Sequence, residues 1–385
     1  MKLGDLNMNG DSPVLHPFPE GWYFVASRAD LGNGNLIHKT WLGEEIVAWC
    51  DEQGRACVAD AVCPHLGSSL APEVGSRVRE GRLVCPFHGF EYDATGQCVA
   101  TPYAPPPESA CLKVYPTREV AGMVFGWYGI RGRPPQWELP EVAHESPQPG
   151  SARGEPLAGK SPQPGSARGE PLAKEKSGWS GLRFHTFRFA GHPQETTENS
   201  VDLAHLRYVH GYDNVHQWGK VKIDGAYLRN RFDFSARVSI GGLLSPAFAV
   251  SAVAHVFGLG YSQVDFEERG VGYRSRLWVL CTPVDGTSVE LRIVSQVGGL
   301  RRPNGVGWVL RLLPLRTRLN LLNWFTLRKE AGYVKEDIVI WRRKQYLPRP
   351  RLNHADGEIL AYRRYCQQFY PEANRIEPRL IASQT

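Results

Sequence analysis

The chain has 385 residues, of which 42% are hydrophobic and 22% are charged, as expected for a folded protein of about two domains. A formal net charge of +6 is too small to indicate a nucleic-acid-binding protein. The opening residues, MKLGDLNMNGDSP, contain no apolar run typical of a signal peptide, and the apolar stretch 243–259 is too short and too interrupted to span a bilayer. We therefore expect a cytoplasmic protein.

Short apolar runs separated by turn signals predict a β-rich domain over residues 17–135. The strand candidates are Trp22–Val25, Glu45–Trp49, Ala56–Ala59, Phe90–Asp93 and Met123–Tyr128.

Two short motifs stand in loops between these strands, Cys63-Pro64-His65 and Cys85-Pro86-Phe87-His88, with nineteen residues between His65 and Cys85. Two thiolates and two imidazoles at this spacing resemble the ligand set of a Rieske [2Fe–2S] cluster, in which the cysteines hold one iron and the histidines hold the other. The same four donors are also a zinc ligand set. The proline after each Cys, the glycine that closes each loop and the β context argue against a zinc finger. The other six cysteines are interpreted as free thiols.

A Pro- and Gly-rich segment follows, and it contains SPQPGSARGEPLA twice, at 146–158 and 161–173. Two copies without aromatic or β-branched residues cannot stack into a core, so residues 136–180 are predicted to be a linker, with a partner-binding segment as the alternative.

The remainder, residues 181–370, reads as a mixed domain. A strand is predicted over 182–189, a helix over 195–209, repeated strands over 220–297, and a helix from about 319 to 345. This order indicates an antiparallel sheet with helices packed at one face.

Residues 301–345 carry eleven Lys or Arg against three acids. The simplest interpretation is a solvated helix face. The alternative is a surface for an acidic redox partner or an anionic membrane, with the protein peripheral to that membrane.

A second metal motif, D-x-x-H-x-x-x-x-H, is formed by Asp202, His205 and His210. Asp202 and His205 share one face of the predicted helix, whereas His210 lies about 140° further round. The helix must therefore end or distort before His210 can meet His205 at one metal, and Gly211 is a suitable stop. Considered alone, both histidines could be ordinary core or surface residues.

A two-His, one-carboxylate iron site also needs an acid, and Asp337 is the best candidate. Asp337 shares a predicted helix face with Val334, Ile338 and Trp341, where an unsatisfied carboxylate would be costly. Glu336 is expected to point elsewhere, into solvent. The alternative is that Asp337 is a simple helix-end acid.

Taken together, these motifs resemble those of the oxygenase component of a Rieske non-haem iron oxygenase. The resemblance implies an α+β chain, with an N-terminal all-β Rieske domain and a helix-grip catalytic domain, that assembles as a homotrimer. It implies that Cys63, His65, Cys85 and His88 bind the cluster, and that His205, His210 and Asp337 bind a mononuclear Fe(II). Asp202 would be the acid that links a Rieske histidine of one subunit to an iron ligand of the next.

Within the family, the segments 336–341 and 363–370 resemble 3-ketosteroid 9α-hydroxylase oxygenases and cholesterol 7-desaturases. The resemblance implies hydroxylation or desaturation of a hydrophobic polycyclic substrate, a sterol or steroid. Electrons would come from a separate NAD(P)H-linked reductase or ferredoxin, because no dinucleotide fingerprint follows a predicted strand. One alternative is a Rieske oxygenase that acts on an aromatic ring or removes an O- or N-methyl group. Another is a non-catalytic electron carrier.

Overall fold

The structure of the protein is a computed structural model, which describes residues 15–141, 178–237, 239–240, 243–244, 247–268, 273–299, 312–353, 356 and 358–371. The duplicated unit and the first part of the basic segment, residues 301–311, lie outside the described residues. All eight cysteines lie within them and are free thiols, as predicted for the six outside the ligand motifs.

The N-terminal part folds into three antiparallel sheets, ordered β1-β10-β9, β2-β3-β4 and β5-β6-β7-β8. Its strands are β1 (Gly21–Ser27), β2 (Ile37–Trp41), β3 (Glu44–Cys50), β4 (Ala56–Asp60), β5 (Arg77–Arg79), β6 (Arg82–Val84), β7 (Glu91–Tyr92), β8 (Cys98–Ala100), β9 (Thr117–Val120) and β10 (Met123–Tyr128).

The C-terminal part is built on an eight-stranded antiparallel sheet in the order β11-β20-β19-β18-β17-β14-β12, with β13 also paired to β14, while β15 and β16 form a separate hairpin. Its strands are β11 (Arg183–Ala190), β12 (Asp213–Gln217), β13 (Lys222–Asp224), β14 (Tyr227–Ala236), β15 (Ser239–Ile240), β16 (Leu243–Leu244), β17 (Phe248–Phe257), β18 (Tyr261–Glu268), β19 (Tyr273–Pro283) and β20 (Ser288–Gly298).

The described α-helices all belong to the C-terminal part. They are α1 (Pro193–Thr197), α2 (Ala204–Tyr208), α3 (Leu315–Trp341) and α4 (Ile359–Cys366). Short 3-10 turns occur at Gly32–Gly34, Pro72–Val74, Ile130–Gly132, Glu198–Ser200 and Gln367–Phe369.

The large sheet is covered on both faces, because alternate residues of a strand point to opposite sides. Leu277 and Cys281 of β19 pack with Ile338 and Trp341 of α3. Trp278, which lies between them in the same strand, joins a core formed largely by β1 and β10 of the N-terminal part. The two parts of the chain therefore share a hydrophobic core on the face of this sheet that Trp278 points to.

The predicted fold class is confirmed, and most predicted elements overlap observed ones. The helix predicted over 195–209 is wrong as a single element, because the helical conformation is interrupted at 201–203, between the 3-10 turn and α2. The domain boundaries remain predictions, since most of the predicted linker 136–180 lies outside the described residues. Two residues at its beginning, Trp137 and Leu139, pack in the core shared by both parts.

Candidate metal centres

Two loops of matching shape present the first ligand set. One connects β4 to β5 and contains Cys63, and the other connects β6 to β7 and contains Cys85. In each loop a glycine N–H, from Gly67 or Gly89, donates to the carbonyl of the cysteine four residues earlier, at 2.9 and 3.1 Å. Both glycines adopt φ values near +70°, which L-residues rarely adopt. Each loop therefore closes at its glycine.

These loops bring the four predicted cluster ligands together. The thiols of Cys63 and Cys85 are buried, and the rings of His65 and His88 lie 4.7 Å apart between centroids. The Nδ1 atom of His88 is buried and has no hydrogen-bond partner among the described residues. A buried imidazole nitrogen without a partner is costly in a finished fold unless a metal takes its lone pair. The donor set therefore fits a two-iron cluster.

Two aromatic residues support this set. The Tyr92 hydroxyl lies 3.0 Å from the Cys63 sulfur, and Phe90 stacks on the His65 ring at 4.2 Å between centroids. Burial raises the pKa of the Cys63 thiol, although the hydrogen bond with Tyr92 opposes that effect. Hydrogen bonds to cluster sulfurs and burial are two of the means by which proteins set a cluster's potential. No local sequence signal indicates this role of Tyr92, because only the pairing of β7 with its neighbours places its hydroxyl at the sulfur.

The second ligand set joins residues from two distant segments. One ligand atom from each of His205, His210 and Asp337 lies within 4.8 Å of the other two. His205 is on α2, His210 follows the end of this helix, and Asp337 is on the buried face of α3. Gly211, with φ of +66°, directly follows His210, and the helix ends before His210 as the spacing predicts. Two imidazoles and one carboxylate in this arrangement can hold a divalent iron with coordination positions left open.

Asp202 orients His205. Its backbone carbonyl accepts a hydrogen bond from Nδ1 of the His205 ring, which leaves Nε2 as the nitrogen with the free lone pair. Its carboxylate caps α2 by accepting from the backbone N–H groups of Ala204 and His205, at 3.1 and 3.3 Å. Burial lowers the pKa of His205, which favours the neutral imidazole that binds metals.

His210 contacts two acids, one through each ring nitrogen. Nε2 lies 3.4 Å from Asp337, and Nδ1 donates to the Glu336 carboxylate at 3.1 Å. Burial lowers the pKa of His210, but the two carboxylates outweigh it and the net shift is upward. The prediction that Glu336 points elsewhere is therefore wrong. Although its side chain is half exposed, Glu336 occupies the position of a carboxylate that orients a ligand histidine.

Apolar side chains pack beside the triad. A cluster of buried side chains from β14 and β17, with Tyr212, packs against Leu203, Leu206 and Tyr333, which flank the three ligands in sequence. The other members are Phe232, Phe234, Ala236, Val250, Ala252 and Ala254, with Val215, Val264 and Phe266 partly buried beside them. The wall offers a hydrophobic molecule apolar contact next to the metal ligands.

A buried ionic cluster connects the segments that carry the triad. Arg363 of α4 donates to both carboxylate oxygens of Glu198, at 2.8 and 3.3 Å, and Lys344 contacts the same group at 2.8 Å. The backbone carbonyl of Glu198 accepts the N–H of Asp202 at 3.1 Å. The turn before His205 is therefore tied to the chain just beyond α3. No local sequence signal indicated this cluster, because its members come from three separate segments.

Comparisons with known proteins agree with these two sites. The family profile of the Rieske [2Fe-2S] domain matches residues 21–116, and the profile described as 3-ketosteroid 9alpha-hydroxylase C-terminal domain matches residues 158–306. The chain belongs to the Rieske non-haem iron oxygenases. It is therefore an oxidoreductase whose cofactors are a [2Fe–2S] cluster and a mononuclear iron.

Among curated proteins, the chain is 29% identical to cholesterol 7-desaturase nvd 1 of Ciona intestinalis, over 98% of this chain and 72% of that protein. It is 26% identical to the probable 3-ketosteroid-9-alpha-monooxygenase, oxygenase component, of Rhodococcus rhodochrous, over 94% of this chain and 83% of that protein. Among solved structures, dicamba monooxygenase bound to dicamba superposes with a TM-score of 0.58 at 16% identity, covering 92% of this chain and 98% of that chain. This last likeness concerns the fold alone.

Proposed function

We propose that this chain is the oxygenase component of a multi-component system that hydroxylates or desaturates a sterol or steroid. The observation that carries this proposal is the match to the 3-ketosteroid 9alpha-hydroxylase C-terminal domain, which spans residues 158–306. Most of the apolar wall beside His205 and His210 belongs to the same stretch. A polycyclic hydrocarbon skeleton is the kind of substrate that such a wall binds without leaving polar groups unpaired.

The geometry of the two sites supports the proposed ligand assignments. Cys63, Cys85, His65 and His88 would hold the cluster, and the triad would hold the mononuclear iron. When bound, the cluster supplies single electrons and the iron supplies a site for O2 chemistry. The surrounding residues keep the ligands in usable form. The Asp202 carbonyl leaves His205 Nε2 available for metal, and the Glu336 carboxylate leaves His210 Nε2 available.

The working unit is proposed to be a homotrimer in which the cluster of one subunit serves the iron of the next through Asp202. Asp202 is only half buried, so a neighbouring chain could reach its carboxylate. The loop residues Leu66 and Phe87, next to the cluster ligands, are 66% and 63% exposed, as expected for a tip that meets another protein. The electron donor is proposed to be a separate reductase or ferredoxin.

Among the described residues, no helix combines the length and the apolar character needed to cross a bilayer. As part of the proposed function, we propose a cytoplasmic protein that associates peripherally with a membrane, where sterols are found.

A substrate screen with product identification by mass spectrometry tests the proposal. The protein, loaded with both metals and supplied with a competent reductase, is offered a 3-ketosteroid, cholesterol, an aromatic acid and an O-methyl arene. We expect an oxidised steroid or sterol product. Turnover of only the aromatic or methoxy compounds would replace the proposed substrate class with the alternative suggested by the sequence.

Iron analysis tests the ligand assignment and the enzyme class together. We expect about three irons per chain, two from the cluster and one from the triad. Asp337→Ala should lower the count to about two, whereas Glu336→Ala, which removes an orienting carboxylate but no ligand, should retain the third iron when Fe(II) is in excess. A count of two in the unaltered chain would indicate a pure electron carrier.

A further inference from the structure

The exposed side of α3 carries a run of large apolar residues. Leu321, Trp324 and Phe325 are 38%, 42% and 55% exposed. They are three and four residues apart, so they lie on one side of the helix. The opposite side of α3 faces β20 and β11 and carries the buried Asp337. One helix thus has the predicted iron ligand on its inner side and an aromatic surface on its outer side.

Cationic residues continue this surface toward the end of the helix. At 100° per residue, six side-chain positions between residues 321 and 335 fall within a sector of about 100°. They are Leu321, Trp324, Phe325, Arg328, Gly332 and Lys335, and we call them the α3 outer face.

A cleft of about 440 Å³ lies between the α3 outer face and His185 of β11, and Leu327 and Ala331 also line it. Gly332 has no side chain to fill it, and nothing lies within 4 Å of the position a Cβ would take there. Arg328 and Lys335 line the cleft, and the Arg328 guanidinium lies 5.7 Å from the centre of the Trp324 ring. An anionic headgroup would find two cations at this cleft and aromatic groups next to it.

We propose that the α3 outer face binds the surface of an anionic membrane. Aromatic and leucine side chains next to Arg and Lys suit the lipid headgroup region, where aromatic rings lie and cations meet anionic lipids. The cations match negative lipid headgroups in charge, while the aromatic rings enter the acyl boundary. The inference rests on the proposed function in one respect, because a sterol substrate would be drawn from that membrane.

Two other occupants fit less well. An electron donor must approach the cluster ligands, but α3 packs on β20 and β11 of the C-terminal sheet and not on the loops of Cys63 and Cys85. A second copy of this chain would have to bring acids to Arg328 and Lys335. These occupants are separate outcomes of the test below.

The first experiment measures co-sedimentation of the metal-loaded protein with vesicles of phosphatidylcholine, with and without phosphatidylglycerol. We expect binding to the anionic vesicles that weakens as salt is added. Arg328→Gln/Lys335→Gln should reduce partitioning about 25-fold, from about fivefold per cation. The matched control, Lys220→Gln/Lys222→Gln, removes two exposed cations elsewhere and should bind like the unaltered protein. An equal loss of vesicle binding in both double variants would overturn the proposal.

The second experiment tests the aromatic contribution. Trp324→Ala should weaken binding to anionic vesicles, whereas Trp218→Ala, which removes another exposed tryptophan, should not. If Trp324→Ala instead changes the oligomeric state in sedimentation velocity without vesicles, the surface is an interface between copies. If it raises the KM for the electron donor, the surface is a protein-docking site. Either result refutes membrane binding.

Turnover of steroid delivered in cyclodextrin separates this inference from the proposed function. The Arg328→Gln/Lys335→Gln variant should retain that turnover while losing vesicle binding. If the unaltered protein binds anionic vesicles but oxidises no sterol or steroid, the substrate proposal fails and the membrane surface stands. If it oxidises the steroid but does not bind the vesicles, the membrane proposal fails alone.

Discussion

Replacing Arg363 by methionine should destabilise the C-terminal part of the chain. The side chains of Arg363 and Glu198 are only 5% and 6% exposed, and two of the hydrogen bonds of the guanidinium go to the Glu198 carboxylate. Methionine has a similar length but cannot donate, so the substitution leaves a buried carboxylate with Lys344 as its remaining cation.

The expected cost follows from this geometry. Removing one partner of a buried ion pair costs about 3–5 kcal/mol, and the contact that Lys344 retains places this case near 3 kcal/mol. For a region of this size, each kcal/mol lowers Tm by about 2–4 °C, so Tm should fall by about 6–12 °C in scanning calorimetry. The matched control is Arg364→Met on the same helix, where the side chain is exposed and the change should stay within about 0.5 kcal/mol.

The loss of Tm caused by Arg363→Met should also depend on pH. Burial alone would raise the pKa of Glu198, but Arg363 and Lys344 outweigh it and hold the pKa below its ordinary value of 4.5. A carboxylate whose pKa is lower in the folded than in the unfolded state stabilises the fold at pH values above its unfolded pKa. That stabilisation is lost as the pH falls through the folded pKa. The difference in Tm between the unaltered protein and Arg363→Met should therefore be full at neutral pH and shrink in acid.

A second measurement connects the pair to the iron site. Because the Glu198 carbonyl receives the N–H of Asp202, Arg363→Met should also lower the occupancy of the mononuclear iron. If Arg363→Met and Arg364→Met gave the same Tm and the same iron content, the ionic cluster would have no role in holding the ligand segments together.

Three further substitutions test individual site residues. His205→Ala should leave the visible spectrum of the cluster intact and abolish turnover, and a collapsed spectrum would mean that His205 belongs to the other site. Asp202→Asn should retain both metals but stop electron transfer to the iron, so a normal single-turnover rate would exclude the bridging role. Tyr92→Phe removes the hydroxyl 3.0 Å from the Cys63 sulfur, and it should lower the reduction potential by roughly 40 mV if that bond favours the reduced cluster by about 1 kcal/mol. An unchanged potential would show that the hydroxyl does not bond to the sulfur in the loaded protein.

The parts of the fold that could be predicted from sequence are those governed by local rules. Alternation of buried and partly buried residues over strands such as β14 is visible in the sequence, since every second side chain must face the core. The loops of Cys63 and Cys85 could also be predicted, because two short motifs with fixed internal spacing contain all four predicted ligands. The end of the helix before His210 followed from the angle between two histidines on one helix.

What could not be predicted depends on side chains that meet across long stretches of chain. The prediction of a single helix over 195–209 missed the role of the Asp202 carboxylate. This carboxylate caps α2, so a new helix begins there. The contact between Glu336 and His210 joins residues 126 positions apart, and helical periodicity alone directed Glu336 to solvent. The ionic cluster around Glu198 could not be predicted either, because its members are also far apart in the sequence.

The core shared across the large sheet has a consequence for how this chain can change over generations. Trp278 and its neighbours hold the two parts together through packing, so their mutual placement does not depend on the length of the segment between them. By loop-closure entropy alone, each doubling of the length of a connection costs only about 0.6 kcal/mol. A copying error that repeated SPQPGSARGEPLA would thus be nearly invisible to selection. By the same reasoning, cutting the chain between residues 146 and 173 should leave two fragments that remain associated, whereas expressing either fragment alone should expose half of a core.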